Sequence, residues 1–200
     1  MTDVIFLMGS SGVGKSSICE GLRNKGFRVA ELSAREPRGH IGNPSFFELE
    51  TSNMKGIKHQ ELVFTYFKRA ISNKLAYINE NKPIGEKYVF ERGEIDVVGY
   101  SFAFSQQWTW HDYTAWVDYQ LCYARMFYSE LKWEYPKLNL KLVYVPINPE
   151  IPYEAIEARP DEKIRNLCDL FLRECNTANY LLNPSSIEDY VENIERIANI

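Results

Sequence analysis

Apolar residues fall along this chain in two alternating rhythms. Asp3 to Met8 is a near-continuous apolar run, as expected of a strand buried on both faces. Lys15 to Lys25 then takes helical spacing, and Phe27 to Leu32 predicts a second short strand. Asn43 to Gly56 is polar and broken by Gly and Pro, which predicts loop or irregular helix. From His59 to Asn81 the apolar positions Leu62, Val63, Tyr66, Phe67, Ala70, Ile71, Leu75 and Ile78 repeat with the helical period. Lys87 to Phe90 predicts a third strand, Tyr113 to Trp133 a long aromatic-rich helix, and Leu140 to Val145 a strand closed by Pro146. A helix over Asp161 to Asn176, a strand over Asn179 to Leu182 and a closing helix over Ile187 to Ile200 complete the pattern. Ser185 or Ser186 is the expected N-cap of the last helix. Strands alternating with helices predict an α/β fold, an open five-stranded, mainly parallel sheet flanked by helices. Ligands bind such sheets at the carboxyl ends of the strands.

The chain has 200 residues without internal repeat, low-complexity tract or linker, so one domain over 1–200 is expected. Hydrophobic residues at 45% and charged residues at 25% are ordinary for a globular protein. The net charge of -4 gives no global positive field to gather nucleic acid or anionic membrane. No stretch approaches the ~18 uncharged apolar residues of a membrane span. The apolar start lacks a basic leader and a small-residue cleavage site, so a cytoplasmic location is the expectation. Cys19, Cys122, Cys168 and Cys175 are scattered without CxxC pairing and read as reduced thiols. His40, His59 and His111 are too far apart to suggest zinc.

Gly9-Ser10-Ser11-Gly12-Val13-Gly14-Lys15-Ser16 satisfies GxxxxGK[ST] without a mismatch, with an apolar strand running in and a helix running out. Glycines let backbone N–H groups converge on phosphates, and the helix start adds a positive dipole end. Ser11, Gly12, Val13, Gly14, Lys15, Ser16 and Ser17 are therefore the candidate nucleotide-binding residues. Lys15 supplies a point charge for the β and γ phosphates, and the Ser16 hydroxyl is a ligand for Mg2+. This points to ATP or a related nucleoside triphosphate with magnesium, and says nothing yet about the reaction.

Three further segments bear on the reaction. Tyr88-Val89-Phe90-Glu91-Arg92-Gly93 delivers a carboxylate and a guanidinium to the end of a strand beside the loop. The carboxylate can take an acceptor proton or help hold magnesium, and the arginine can bind phosphoryl oxygens in a fork. A surface ion pair is the plainer alternative for that pair alone. Arg35-Glu36-Pro37-Arg38-Gly39 follows the second strand, where an acceptor should approach, and reads equally as a substrate loop or a solvated charge run. Arg159, Lys163 and Arg165 put three cations at a helix start, where acids are favoured. A lid over about 152–166, folding cations over the transferring phosphoryl group, explains that arrangement, with a plain solvated helix as the alternative.

On these residues the chain resembles, over its whole length, the nucleoside and nucleotide kinases of the P-loop class. Phe90-Glu91-Arg92 is similar to the FERS segment of deoxyribonucleoside kinases, with Gly93 in place of serine. Arg35-Glu36-Pro37 resembles the REPGG loop of thymidylate kinases, with Arg38 replacing the first glycine. The part from Arg159 through Ile187 resembles predicted ATPase/kinase families near nicotinamide riboside kinase. The resemblance implies a P-loop NTPase fold, Glu91 as general base, Arg92 as a clamp, and Arg159, Lys163 and Arg165 as lid cations. It joins a hydroxyl-type base to a monophosphate-type loop, which leaves the acceptor open.

Tyr100 to Trp116 holds Tyr100, Phe102, Phe104, Trp108, Trp110, Tyr113 and Trp116, where these kinases place their nucleobase pocket. Aromatic faces stack on bases, and Gln106 or Gln107 can read a base edge. Tyr100, Phe104, Gln107 and Trp108, with Arg35, Glu36 and Arg38, are the candidate acceptor residues. The group from Tyr119 to Tyr128 is expected to be core. The same features suit some viral kinases resembling this group, which phosphorylate the hydroxymethyl of a modified base within DNA. Lys55, Lys58, Lys68 and Arg69 are the candidate local track for a strand. The expectation is a kinase for a nucleoside, nucleotide or similar small acceptor; the alternatives are a kinase of a base or end in DNA, and a regulatory NTPase. The helix from Tyr113 to Trp133 suits a monomer core or a homodimer equally.

Overall fold

The computed structural model describes residues 1–30, 57–81, 85–105, 110–149, 162–175, 178–182 and 186–200. Strand β1 (Thr2–Met8) runs into the glycine-rich loop and helix α1 (Lys15–Asn24), and β2 (Arg28–Ala30) follows. Helix α2 (Ile57–Asn81) leads to β3 (Lys87–Phe90), α3 (Glu94–Ser105) and α4 (Trp110–Glu134). Then come β4 (Leu138–Tyr144), α5 (Glu162–Glu174), β5 (Tyr180–Leu181) and α6 (Ile187–Ala198).

The five strands form one sheet in the order β2-β3-β1-β4-β5, and every pair is parallel. Side chains alternate across β1, so Val4, Phe6 and Met8 face one helical layer while Ile5 and Leu7 face the other. The first core includes residues of α2, α3, α4 and α5; the second is built on α1 and α6. Burial on both faces explains why β1 reads as a continuous apolar run rather than an alternating one. Gly21 on α1 and Gly99 on α3 let neighbouring helices approach, since a Cβ at either would press on Val191 or on Cys168 and Leu172. Ser186 is the N-cap of α6, accepting the Asp189 N–H at 3.1 Å.

Where their ends fall in described residues, the expected elements agree with the observed ones to within three residues, and the strand Lys87–Phe90 agrees at both ends; there is one substantive addition. Glu94–Ser105 is a helix, α3, although its composition shows no amphipathic period. The helix is covered on several sides, by α2, α4 and α5, so nearly all its described positions are buried and no polar stripe marks a period. Among the described residues no helix is long and apolar enough to cross a membrane.

Candidate active site

The loop sits where the sheet geometry places it, beyond the carboxyl end of the central strand. Gly12 (φ 75°) and Gly14 (φ 91°) take left-handed backbone, and Gly14 caps α1. A side chain at Gly14 would also meet Ile187 Cδ1 at 2.9 Å. Lys15 is buried and curls back over the loop, its ammonium donating to the Gly9 carbonyl and to the Ser10 carbonyl at 2.8 Å. Burial lowers the Lys15 pKa, and the nearby Asp96 charge opposes that shift.

The parallel register pairs Phe6 with Phe90, so β3 ends two residues short of the end of β1, and the chain beyond it runs on toward the start of the loop. Glu91 is the next residue, and its Oε1 accepts the Ser16 hydroxyl at 2.6 Å. These two oxygens are the candidate cation site. A hydroxyl and a carboxylate are hard ligands, and magnesium takes few protein oxygens beside waters and phosphate. Among the described residues no group of three or more His, Cys, Asp or Glu side chains forms a metal cluster. Arg92 is half-buried, and its positive charge bears on Lys15, Asp96 and Tyr100 together. Gly93 stands where a serine was expected from the resemblance, because a Cβ there would collide with the Tyr128 hydroxyl.

Two residues of α3 hold the loop from beneath. Asp96 is 2% exposed, and its Oδ1 accepts the Gly9 N–H at 2.8 Å. Its other oxygen, Oδ2, is buried without a hydrogen bond. Burial raises the Asp96 pKa, with the Lys15 charge the largest opposing influence. One turn on, the Tyr100 hydroxyl accepts the Ser11 N–H at 2.5 Å. From the other side Arg165 Nε donates to the Ser11 carbonyl at 3.0 Å. Ser11, the candidate phosphate-binding residue at the loop's apex, is thus gripped through both backbone groups by α3 and α5.

Most sequence-selected residues within the described segments converge here. Ser11, Gly12, Val13, Gly14, Lys15, Ser16, Glu91, Arg92, Tyr100 and Arg165 belong to one constellation, and Ser17 lies on the first turn of α1, exposed. Arg165 is 3% exposed and packed against the loop, whereas Lys163 on the same helix faces solvent. Arg159, most of the segment 152–166, the acceptor candidates Arg35, Glu36, Arg38, Gln107 and Trp108, and Lys55 lie outside the described residues. Phe104 lies on α3, but its side chain is outside them as well. Phe102 is stacked on Phe171 with centroids 4.9 Å apart, and Trp116 is buried, so both rings serve packing. Phe127 and Tyr128 are core as expected, while Tyr119 is 61% exposed. Lys68 lies 3.6 Å from the Tyr123 ring centroid, tied between α2 and α4.

Asp96 was not among the residues selected from sequence. The signal available is its i, i+4 spacing with Tyr100, beginning four residues after Arg92, which puts both on one face of α3.

No protein-family model matches the chain, and no curated protein matches it in sequence. Among solved structures, deoxyadenosine kinase from M. mycoides with the products dCMP and a flexible dCDP bound superposes with a TM-score of 0.59 at 15% identity. The match covers 100% of this chain and 99% of that one. The same enzyme with bound dATP gives 0.58 at 16% identity, covering 100% of each chain. The form with bound dCTP gives 0.56 at 16% identity. In its described residues this chain therefore shares the fold of that kinase.

Proposed function

We propose that this protein is an ATP- and magnesium-dependent kinase that phosphorylates a hydroxyl of a nucleoside, nucleotide or similar small acceptor. The observation that carries the reading is the Glu91–Ser16 hydrogen bond of 2.6 Å. It sets a carboxylate beside the phosphate-binding loop, and in this reading the acceptor hydroxyl and the γ phosphate meet there. Shared fold with a deoxyadenosine kinase seen with deoxynucleotides supports a nucleoside-type acceptor.

In this reading the loop amides and Lys15 bind the donor phosphates; Lys15 exchanges its bonds to the Gly9 and Ser10 carbonyls for bonds to phosphate oxygens. Ser16 and Glu91 hold magnesium, which supplies charge neutralisation between the phosphates when bound. Glu91 also orients the acceptor hydroxyl and takes its proton. The acceptor oxygen forms a bond to the γ phosphorus as the bond to the β,γ-bridging oxygen breaks, and ADP leaves. Arg92 neutralises charge spread over the transferred group. Arg165 and Tyr100 keep the apex of the loop from shifting. Arg35, Arg38 and Arg159 are proposed to complete the acceptor and lid contacts.

The test is label transfer from γ-labelled ATP across a panel of deoxynucleosides, deoxynucleoside monophosphates, and DNA with ordinary or hydroxymethylated bases. Label on a nucleoside or monophosphate is the expected result. Label only on hydroxymethylated DNA would replace the small acceptor with an extruded base. ATP hydrolysis or binding with no labelled acceptor would instead favour a regulatory NTPase.

A further inference from the structure

Beside α5 lies a cavity of about 610 Å³, within the size range of small-molecule sites. Asn166, Asp169, Leu170 and Arg173 line it at the i, i+3, i+4 and i+7 spacing of a single helix face. The rest of the lining is the chain leaving β4, at Pro146, Ile147 and Pro149, with Leu181 of β5. Arg165, Cys168 and Leu172 occupy a different side of α5, turned toward Ser11 and toward α3. The cavity is therefore not the face that grips the loop. Leu170 is 52% exposed and Leu181 60%. A lone surface leucine needs no explanation, but two that share one cavity with two prolines give it an apolar lining.

The polar groups of the cavity are held in place. Asp169 is buried, and its Oδ1 accepts the Tyr144 hydroxyl at 2.8 Å and the Ile147 N–H at 3.1 Å. Its Oδ2 accepts from the Arg173 guanidinium at 3.2 Å, while the arginine side chain stays 56% exposed. A pair so open to water on one side adds little to stability. Its effect is geometric, because a carboxylate fixed at two points sets the direction of the guanidinium. That group carries five N–H donors, more than Asp169 and Tyr144 occupy, and presents the others to an anion. Asn166 stands seven residues earlier, about 10 Å along the helix, and its amide offers both a donor and an acceptor.

From this lining we infer a small-molecule site, distinct from the phosphate loop, for a planar ring joined to an anionic group. The anion sits on Arg173, the ring packs against the leucines and prolines, and its polar edge meets the Asn166 amide. Phosphate and carboxylate both suit the guanidinium fork, so a nucleoside monophosphate and an aromatic carboxylate share the required chemistry. Neither inorganic phosphate nor a neutral hydrocarbon uses both halves of the lining. The inference does not rest on the proposed activity, since occupancy of this site is read without turnover.

Calorimetric titration of the full chain with adenosine monophosphate and, separately, with 2-naphthoate tests the site. At least one should bind, and Arg173→Gln should weaken that binding about tenfold or more, as loss of a charged hydrogen bond does. Leu170→Asp should abolish it by setting a like charge against the anion. Both positions are exposed, so each variant should keep the thermal midpoint of the wild type. Variant-sensitive binding of adenosine monophosphate would identify a nucleotide as the ligand, and of 2-naphthoate alone an aromatic acid. Binding of neither compound, or binding that both variants leave unchanged, would overturn the inference.

Discussion

Ser11 is held by Tyr100 through its N–H and by Arg165 through its carbonyl, so helices separated by more than fifty residues of chain share one grip on the loop's apex. If that grip keeps the loop amides in place for the donor phosphates, the two residues act on a single element. Tyr100→Phe and Arg165→Met should each lower kcat/KM for ATP. The arginine should cost more, about 1–3 kcal/mol, because its loss takes a charged donor from the half-buried Ser11 carbonyl. The double variant should lose less than the sum, since both changes loosen the same residue. Steady-state kinetics on the four proteins checks this, and strictly additive losses would show that the contacts act independently.

Glu91→Gln separates chemistry from donor binding. The amide keeps an acceptor for the Ser16 hydroxyl but cannot take a proton. Turnover should fall by about 10²–10⁴-fold, the usual worth of a general base. ATP affinity measured without magnesium should change little. A variant with both rate and affinity unchanged would remove Glu91 from the mechanism.

Asp96 predicts a pH effect on stability. Burial raises its folded pKa above the unfolded value. The stability it contributes is therefore fully present below the usual carboxylate range and is lost as pH rises through the folded pKa. Asp96→Asn keeps an oxygen for the Gly9 N–H and removes the titration. In urea unfolding across a pH series, the variant should lose less stability than wild type as pH rises through that window. Parallel curves would contradict the buried charge.

Gly93 tests the packing beneath the site. Gly93→Ser pushes a side chain onto the Tyr128 hydroxyl and should destabilise by about 1–3 kcal/mol, the cost of overpacking. Tyr128→Phe in the same chain removes the colliding oxygen and should restore much of the loss. Thermal unfolding of the single and double variants reads the outcome; a Gly93→Ser chain as stable as wild type would show that Tyr128 moves aside freely.

What could be read directly from sequence was whatever lies contiguous in the chain. The phosphate loop declares itself in eight residues because one backbone turn builds it, and Glu91-Arg92 follow a strand whose apolar run marks its own end. The grip on Ser11 was not legible as such. Tyr100 stood out as an aromatic for stacking and Arg165 as a lid cation, because composition reports a residue's chemistry but not its orientation. Asp96 was hidden in α3, a helix packed on several sides, where burial erases the polar stripe that normally marks a period. The exposed side of α4 was concealed for the opposite reason. Its aromatics are interleaved with core aromatics, and only the structure shows which of them, such as Tyr119 and Tyr128, look outward or inward.

Transfer of the γ phosphate of ATP to an acceptor hydroxyl, rather than to water, is what the proposed kinase activity requires. It is tested most directly by counting products when the protein turns over ATP with magnesium and a deoxynucleoside. One ADP for each phosphorylated deoxynucleoside, with both lost in Lys15→Ala, is the predicted result. ADP released with inorganic phosphate, in the same amount whether or not an acceptor is present, would contradict it.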